Sequence, residues 1–535
     1  MDGAIAIQTI PAAVRAAAET FGDVIAIAEP GGPALSYSEL HERVRESAAA
    51  LIAAGVEPGD RVAIWSPNTH HWVIAGLGAL YAGATLVPVN TRFTGPEALD
   101  VMTRSQASVL FVAGPFLGAD RHLLLARAAA ERGSGLPRMV VQIPVELELQ
   151  TPSENQSAAS VTWAEFLARG DAVTKVAADE RADAVAADDV SDILFTSGTT
   201  GRSKGAMSAH RQAIGVARAW ADCAQLTSAD RYLIVNPFFH SFGYKAGILA
   251  CLLTGATIVP QLVFDAGQAM QLIEDERITV FPGAPTIYTS ILDHRDRASR
   301  DLSSLRLAVT GAAVVPVALV ERMRAELSFD EVLTAYGLTE AVVVTMCRPG
   351  DDPHTVATTS GKATAAFEIK IAGDGSEPGE ILLRGPNVML GYLDDPAATA
   401  EAIDAGGWLR TGDVGMLDER GYLTITDRLK DMYICGGFNV YPAEVEQVLA
   451  RHPGVSEAAV IGIADGRLGE VGKAFVVRRP AEDPTSAELI EFCRTALANY
   501  KVPREIEFRA DLPRNPAGKP LKRLLRLPGR NKEHR

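Results

Sequence analysis

Residues 196–205 read TSGTTGRSKG and directly follow an apolar run at residues 193–195. A short apolar run of this kind is typical of a buried strand. The ten residues after it are rich in glycine and hydroxyl side chains, and they include the cations Arg202 and Lys204. The backbone N–H groups and hydroxyls of such a loop can surround a phosphate chain while the cations supply charge. A flexible linker has a similar composition, but the adjoining strand and the two cations favour a phosphate-binding loop.

The residue after each Gly-Lys pair restricts the kind of phosphate loop. A Walker A loop needs Ser or Thr directly after Gly-Lys to bind Mg²⁺, whereas here the pairs are followed by Ala363, Ala474 and Pro520. Residues 201–205 also match the G-x-S-x-G elbow of serine hydrolases, in which Ser203 would be the nucleophile between a strand and a helix. Because several residues separate the predicted strand from that elbow, a serine hydrolase using Ser203 is only a remote alternative.

Length, charge and cysteine usage define the class of protein. The 535 residues, of which 47% are hydrophobic, are enough for two or three globular domains. The five cysteines form no C-x-x-C pair, which indicates a reducing compartment, and the net charge of −15 argues against nucleic acid as a partner. The uncharged residues 72–90 contain glycines and a proline, and they are predicted to form a helix and then a strand rather than a membrane span. We expect a cytoplasmic protein with no integral membrane segment, and a homodimer is left open.

The order of apolar segments predicts the fold. Short apolar runs separated by helix-length segments begin near residues 62, 109, 193, 232, 280, 305 and 332, as in parallel strands buried on both faces. Residues 81–89 and 253–261 repeat a helix end, a glycine and a strand, which predicts two similar subdomains. Residues 361–425 change to short alternating strands, and an α+β pattern begins after Asp431. We predict an α/β fold, with a large N-terminal domain of two doubly wound α/β subdomains plus a small β-barrel-like subdomain, and a small α+β C-terminal domain.

Small or polar residues come directly after several of the predicted strands. In open parallel sheets, ligands bind beyond the carboxyl ends of the strands. We therefore expect one continuous cleft at this edge, formed by residues 196–198, 236–240, 282–285, 310–313 and 335–340.

Five motifs occur in order along the chain: residues 196–205, YGLTE at 336–340, TGD at 411–413, DRLK at 427–430 and NPAGK at 515–519. With this order and spacing the chain resembles the adenylate-forming enzymes over essentially its whole length. That superfamily includes acyl-CoA synthetases, luciferases and the adenylation domains of peptide synthetases. The resemblance implies that a carboxylate reacts with ATP to give an acyl-AMP and pyrophosphate, after which CoA takes the acyl group and AMP is released. It also implies an ATP- and acyl-binding domain at 1–427, a hinge at 428–431 and a mobile lid domain at 432–535.

The reaction brings two anions together, so the site must neutralise and align them. By the resemblance, Lys519 bridges the acyl carboxylate and the α-phosphate, Thr339 contacts the α-phosphate, and Glu340 binds Mg²⁺. The other implied ATP-binding residues are Tyr336 against adenine, Gly311, Ala312 and Ala313 beneath the purine, Asp413 and Arg428 at the ribose, and Thr196, Ser197, Gly198, Thr199, Thr200, Gly201 and Lys204 around the pyrophosphate. Gly337 also belongs to the implied ATP-binding set.

Formation of the thioester requires Lys519 to leave the site so that the thiol of CoA can enter. By the resemblance, Lys430 occupies the hinge, and Gly436, Gly437 and Phe438 belong to a loop that meets CoA. The chain departs from the family at Ser203, where proline is common, which leaves the stiffness of the phosphate loop open.

The resemblance places the acyl pocket around Phe242, Gly243, Lys245 and Pro285, with His240 near the reacting carboxylate. A packed or capping histidine is the alternative for His240. Lys245 is unusual in an apolar stretch, and it is expected either to pair with a substrate oxygen or to extend to the surface.

Residues 236–251, 335–340 and 428–447 are particularly similar to bacterial CoA ligases of sterol-ring catabolism, which act on a propanoate attached to a two-ring indane. The expected substrate is therefore a steroid-derived indane propanoate, used together with ATP, Mg²⁺ and CoA. The alternatives are a medium-chain fatty acid or aryl acid–CoA ligase and an adenylation enzyme that loads a carrier protein. The sequence neither supports nor excludes a luciferase-like oxidase.

Overall fold

A computed structural model describes most of the chain. The described residues are 7–116, 118–145, 160–196, 203–311, 315–373, 377–428, 431–435, 438–465, 468–480, 482–497, 499–514 and 520–526. They form the α/β architecture that the apolar runs predict, with helices packed around two large sheets, a smaller antiparallel sheet and a C-terminal α+β unit.

The first large sheet has eight strands and carries the start of the predicted phosphate loop. Six neighbouring strands run parallel, and the last two at one edge are antiparallel. In spatial order the strands are Gly391–Tyr392, Lys204–Ala209, Val190–Thr196, Thr85–Pro88, Arg61–Trp65, Val109–Ala113, Met139–Ile143 and Val161–Thr162.

The second large sheet is built from two groups of four strands. Val280 connects the two groups, because it forms one parallel bridge to each of them. The predicted run at 280–281 therefore lies in the sheet as a bridge between longer strands. The first group is Arg231–Ile234, Thr257–Pro260, Ile25–Ala28 and Ala34–Ser36, and the second is Leu307–Gly311, Glu331–Tyr336, Thr345–Met346 and Lys362–Ala363.

The predicted internal repeat is present in these two sheets. In each sheet a strand is followed by a helical segment, a glycine and a parallel neighbouring strand. The glycines, Gly83 and Gly255, have φ angles of +78° and +79°. Only glycine adopts this left-handed conformation readily, so both positions end a helix and turn the chain into the next strand.

The antiparallel sheet and the C-terminal unit also match their predicted textures. The antiparallel strands are Glu368–Ile371, Gly379–Arg384, Leu409–Leu417 and Leu423–Arg428. In the C-terminal unit the strands are Phe438–Val440, Tyr433–Cys435, Gly469–Arg478, Val455–Asp465 and Glu505–Arg509, and they have an apolar core of their own.

The helices pack on the faces of the sheets, and many begin at a side chain that caps them. Ser36 and Thr485, for example, each begin a helix with a reciprocal capping box, which satisfies backbone N–H groups that lack a partner within the helix. The helix predicted within residues 72–90 is His70–Tyr81, and the strand Thr85–Pro88 comes after it. Among the described residues, no helix combines the length and apolar character needed to cross a membrane.

The described α-helices are Ile10–Phe21, Tyr37–Ala53, His70–Tyr81, Gly95–Ser105, Arg121–Arg132, Trp163–Ala168, Lys175–Asp183, His210–Cys223, Ser241–Gly243, Ala250–Thr254, Ala266–Asp275, Pro285–Leu292, Val317–Glu326, Pro353–Thr358, Pro396–Ala402, Pro442–Ala450, Ser486–Ala496 and Lys522–Leu525. Two short 3₁₀ segments, Arg169–Ala172 and Arg297–Ser299, and the π-helical turn Tyr244–Leu249 complete the set.

Candidate active site

A cavity of about 270 Å³ lies where the strand ends of the second sheet face the C-terminal unit. Two of the predicted loops reach it through Ala284 and Pro285 and through residues 335–337. The C-terminal unit contributes polar and charged residues on the other side, which include Glu446, Arg514 and Lys522. The cavity therefore has walls from both parts of the chain.

Tyr336 and Asp413 form the polar floor of this cavity. The Tyr336 hydroxyl donates a hydrogen bond of 2.6 Å to Asp413 Oδ2, and both residues are buried. Thr411-Gly-Asp413 is an irregularity within the strand Leu409–Leu417, where the pairing with the neighbouring strand shifts. Gly412 has a φ of +69°, so the shift depends on a residue without a side chain.

The backbone around Tyr336 is packed too closely for side chains at two glycines. A Cβ atom on Gly337 would lie 1.7 Å from the Val342 carbonyl oxygen, and one on Gly311 would lie 2.4 Å from the Ala335 carbonyl oxygen. Thr339 lies half-buried in the turn after this strand. These contacts bring the adjacent strand ends together beneath the cavity.

The predicted phosphate loop joins two antiparallel strands. Val190–Thr196 pairs with Lys204–Ala209, and Thr196 and Lys204 form the last pair of the ladder. The Thr196 hydroxyl also donates to the Lys204 carbonyl oxygen at 3.3 Å. The serine-hydrolase alternative is wrong, because its elbow requires a helix after the serine and a strand begins directly after Ser203.

Glu340 and Lys204 both contact Tyr392, a residue that the sequence interpretation missed. The Tyr392 hydroxyl donates to Glu340 Oε1 at 2.8 Å, and Lys204 Nζ lies 4.9 Å from the centre of the Tyr392 ring. Burial and the neighbouring Glu340 carboxylate raise the pKa of Tyr392 above its usual range, so the hydroxyl remains a donor. Because its partners lie far away in sequence, no local motif at Tyr392 indicates the contact.

The donors present fit a Mg²⁺ ion that binds mainly through substrate phosphates. Mg²⁺ in nucleotide sites is held by one or two carboxylates together with phosphate oxygens and water. Among the described residues there is no group of three or more potential metal-ligating side chains. Glu340 offers one carboxylate four residues after Tyr336, at the end of the strand Glu331–Tyr336, which matches this kind of donor set.

His240 serves as a helix cap. Its Nδ1 accepts a hydrogen bond of 3.2 Å from the Phe242 backbone N–H at the start of the short helix Ser241–Gly243. Desolvation lowers the pKa of His240 to about 4, so the ring is neutral at physiological pH. The capping alternative therefore describes its observed contact, and a role at the carboxylate stays a prediction.

The other predicted acyl residues occupy closely packed positions. Phe242 packs edge-to-face on Trp220 at a centroid distance of 5.4 Å. A Cβ atom on Gly243 would lie 2.3 Å from the Pro237 carbonyl oxygen, so the helix and the preceding loop make backbone contact. Pro285 begins the helix Pro285–Leu292 and lines the cavity.

The structure corrects the interpretation of Lys245. The side chain is 1% exposed and does not extend to the surface. Its ammonium lies 2.9 Å from Asp192 Oδ1 and donates to the Ser208 hydroxyl at 2.9 Å. A buried ammonium requires such partners, so Asp192 occupies the position that the sequence interpretation gave to a substrate oxygen.

Several predicted site residues lie outside the described part of the chain. They are Ser197, Gly198, Thr199, Thr200, Gly201, Ala312, Ala313, Lys430, Gly436, Gly437 and Lys519, together with the side chains of Arg428 and Phe438. On either side of the gap at 515–519, however, Arg514 and Pro520 are described, and both line the cavity.

Comparison with known proteins identifies the family. The model for "AMP-binding enzyme" matches residues 14–393, and the model for "AMP-binding enzyme C-terminal domain" matches residues 444–519. The chain belongs to the AMP-binding enzyme family. The predicted adenylate-forming superfamily is thereby confirmed.

Two relatives are similar over almost their entire length. A 3-[(3aS,4S,7aS)-7a-methyl-1,5-dioxo-octahydro-1H-inden-4-yl]propanoyl:CoA ligase from Rhodococcus jostii (strain RHA1) is 59% identical over 518 residues, which cover 97% of this chain and 98% of the relative. A protein of the same name from Mycobacterium tuberculosis (strain ATCC 25618 / H37Rv) is 59% identical over 525 residues, covering 97% and 99%. The predicted enzyme class, an AMP-forming acyl-CoA synthetase, is confirmed.

Solved structures share the fold. The anthranilate CoA ligase AuaEII in complex with anthranoyl-AMP matches with a TM-score of 0.84 and 27% identity, over 97% of this chain and 96% of its own. ATP-bound MatB from Rhodopseudomonas palustris matches with a TM-score of 0.80 and 28% identity, over 97% and 98%. The predicted α/β fold with a large N-terminal and a small C-terminal domain is confirmed, and so is the use of ATP and CoA.

Proposed function

We propose that this enzyme joins CoA to a steroid-derived indane propanoate. The observation that carries the proposal is the 59% identity, over 97% of the chain, to two relatives named for an indane-propanoyl CoA ligase. We place the acyl pocket beside Phe242 and His240. The Phe242 ring packs on Trp220 and the His240 ring is neutral, and such apolar and aromatic surroundings suit a fused-ring acid better than a small polar acid.

The first half-reaction would take place in the cavity beside Tyr336. The substrate carboxylate attacks the α-phosphorus of ATP, and pyrophosphate leaves. Lys204 and Thr196, at the two ends of the phosphate loop, would hold the leaving group, while Lys519 would stabilise charge between the carboxylate and the α-phosphate. Glu340 would hold Mg²⁺, which neutralises phosphate charge when bound.

The nucleoside would lie over the polar floor of the cavity. Tyr336 would stack on adenine, and Asp413, whose carboxylate the Tyr336 hydroxyl orients, would accept hydrogen bonds from the ribose with Arg428 beside it. Thr339 would contact the α-phosphate. Hydrogen bonding between two ligand-binding side chains supports this assignment, because it holds both in a fixed orientation before ATP binds.

The second half-reaction would require movement of the C-terminal unit. We propose a domain of residues 1–427, a hinge at 428–431 containing Lys430, and a lid domain at 432–535. The presence of Arg514 and Pro520 at the cavity supports a lid that brings Lys519 to the adenylation site. After its rotation, Gly436, Gly437 and Phe438 would meet CoA.

A panel of acids tests the substrate. The purified enzyme is given ATP, Mg²⁺ and CoA with the indane propanoate, decanoate, ferulate or no acid, and pyrophosphate release and loss of free thiol are measured together. We expect kcat/KM for the indane propanoate to exceed the others by about 100-fold or more, a difference that pocket contacts can supply. Equal or better use of decanoate or ferulate would contradict the proposed acid, and pyrophosphate release without thiol loss would favour carrier loading.

Two variants separate the half-reactions. Lys519→Ala should lower acyl-AMP formation by about 100-fold or more, while thioester formation from supplied acyl-AMP continues. Lys430→Pro should give the reverse pattern, because proline prevents the φ change that a hinge requires. Equal loss of both steps in either variant would contradict its role.

Two cellular properties complete the proposal. The five cysteines are free and buried, which supports a reducing compartment, and we propose that the enzyme acts in the cytoplasm. Fractionation of the source cells tests the location. A homodimer is also proposed, and sedimentation velocity should show a species of twice the monomer mass.

A further inference from the structure

Tyr392 connects two side chains that belong to different parts of the site. Its hydroxyl donates to Glu340 Oε1 at 2.8 Å, while its ring lies beneath Lys204 Nζ at 4.9 Å. We propose that Tyr392 is a positioning residue for adenylation, which holds the magnesium-binding carboxylate and the phosphate-binding ammonium in one fixed arrangement. This inference rests on the proposed roles of Glu340 and Lys204.

The backbone of Tyr392 is itself held from two sides. The short strand Gly391–Tyr392 pairs antiparallel with the strand that begins at Lys204, with Tyr392 opposite Ala206. The Tyr392 N–H also donates to Thr399 Oγ1 at 2.9 Å. Because Tyr392 lies in the same sheet as Lys204, its ring position is set relative to the end of the phosphate loop.

The tyrosine keeps two opposite charges near each other without joining them. Within the described part of the chain, Lys204 and Glu340 form no ion pair with each other, although both contact Tyr392. A direct ion pair would neutralise both groups and occupy the atoms that phosphate and Mg²⁺ need. The face of an aromatic ring attracts an ammonium, and the hydroxyl satisfies one carboxylate oxygen. Each charged group is therefore oriented while its charge remains available to MgATP.

Two substitutions separate the two contacts. Tyr392→Phe keeps the ring beneath Lys204 and removes the hydrogen bond to Glu340, whereas Tyr392→Leu removes both. Binding of an ATP analogue that cannot react at the α-phosphate, with a methylene between the α- and β-phosphates, is measured by calorimetry across a series of Mg²⁺ concentrations. No acid is needed for this measurement.

Tyr392→Phe should raise the Mg²⁺ concentration for half-maximal binding about tenfold, as expected for loss of a hydrogen bond to a charged group. Its affinity for the analogue at saturating Mg²⁺ should change by less than about threefold. Tyr392→Leu should weaken binding of the analogue even at saturating Mg²⁺, because Lys204 also loses the aromatic ring that positions its ammonium. Conversion of supplied acyl-AMP to thioester should remain within about twofold of wild type in both variants, since pyrophosphate and its Mg²⁺ have already left.

The chain offers a matched control. Tyr422 makes the same two kinds of contact elsewhere, with a hydroxyl hydrogen bond of 2.6 Å to Asp351 and Lys362 Nζ 4.6 Å from its ring centre. Tyr422→Phe therefore removes the same type of hydrogen bond without touching the proposed site. We expect it to leave the Mg²⁺ dependence unchanged.

Several outcomes would overturn the inference. If Tyr392→Phe and Tyr422→Phe show the same Mg²⁺ dependence, Tyr392 has no specific role in positioning Glu340. Equal loss of adenylation and thioester formation in Tyr392→Phe would exclude that role as well. Glu340→Gln in the wild-type and Tyr392→Phe backgrounds provides a second measurement of the coupling between Tyr392 and Glu340. The effect of Glu340→Gln on the Mg²⁺ dependence should be smaller in the Tyr392→Phe background than in the wild-type background. Equal effects in the two backgrounds would contradict coupling between Tyr392 and Glu340. Failure of every acid in the panel would instead reject the proposed substrate, because analogue binding does not depend on it.

Discussion

The buried ion pair between Lys245 and Asp192 gives a quantitative prediction about stability. Lys245 lies on the π-helical turn Tyr244–Leu249 and Asp192 on the strand Val190–Thr196, so the pair joins two elements beside the site. The side chains are 1% and 0% exposed. Asp192 Oδ2 accepts from the Ser191 hydroxyl, whereas Oδ1 has no hydrogen-bond partner among the described residues apart from this ion pair. Lys245→Met therefore leaves a buried carboxylate oxygen without compensation.

The expected loss of stability in Lys245→Met depends on the burial of this ion pair. Removing one member of a buried ion pair costs about 3–5 kcal/mol, because the remaining charge stays desolvated. With an unfolding entropy of about 2.1 cal/mol/K per residue, a cooperative unit of roughly 400 residues changes its Tm by about 1.2 °C per kcal/mol. Lys245→Met should thus lower Tm by about 4–6 °C. Lys245→Met with Asp192→Asn should recover most of that loss, because the amide carries no charge to leave unpaired.

Differential scanning calorimetry of the single and double variants measures these shifts. The control is Arg277→Met, which breaks an exposed ion pair with Asp301 of nearly the same length, 2.8 Å. Exposed pairs contribute about 0–1 kcal/mol, so its Tm should fall by about 1 °C or less. A Tm shift of Lys245→Met equal to that of the control, or a double variant no more stable than the single one, would contradict a large cost for the unpaired Asp192 carboxylate.

Three further predictions concern the site and its surroundings. Arg104 Nη1 donates to the Ser203 carbonyl oxygen at 2.6 Å, so Arg104→Met should raise the KM for ATP about three- to tenfold and leave thioester formation from supplied acyl-AMP unchanged. Burial lowers the pKa of His210 to about 4; between pH 6.5 and 4 the unfolded chain binds a proton that the folded protein does not, so stability falls as pH falls through this window. His210→Asn should remove about 2.4 kcal/mol of that pH dependence, measured by denaturant unfolding at pH 7 and pH 4.5. Gly337→Ala places a Cβ atom 1.7 Å from the Val342 carbonyl oxygen, and pyrophosphate release should fall about 100-fold or more because the strand end beneath the cavity must move.

The parts of the fold that local pattern determines were predictable from the sequence. Apolar runs and glycine helix ends depend on neighbouring residues, so the repeated strand pairs around Gly83 and Gly255 were recognised and their left-handed glycines are present. The start of a strand at Lys204 was not predicted. The segment 204–209 is short and rich in small residues, and its strand conformation depends on pairing with Val190–Thr196 rather than on propensity.

Partners far apart in sequence account for the errors at the site. Lys245 was expected at a substrate oxygen or at the surface because its neighbours are apolar, and nothing near it indicates a carboxylate 53 positions earlier at Asp192. Tyr392 was missed for the same reason, since its partner Glu340 lies 52 positions away. Motifs identify residues that meet the ligand, whereas side chains that hold those residues carry no motif of their own.

Charge pairing determines which cations can meet a phosphate chain in this acidic protein. The net charge is −15, so nucleotide attraction must come from local cations. Arg514 and Lys522 line the cavity, but each is paired with a carboxylate, and a phosphate must compete with that partner. Lys204 contacts the uncharged ring of Tyr392 instead. A phosphate that binds Lys204 displaces no carboxylate from it, so of these three cations Lys204 can bind the anion at the lowest cost in free energy.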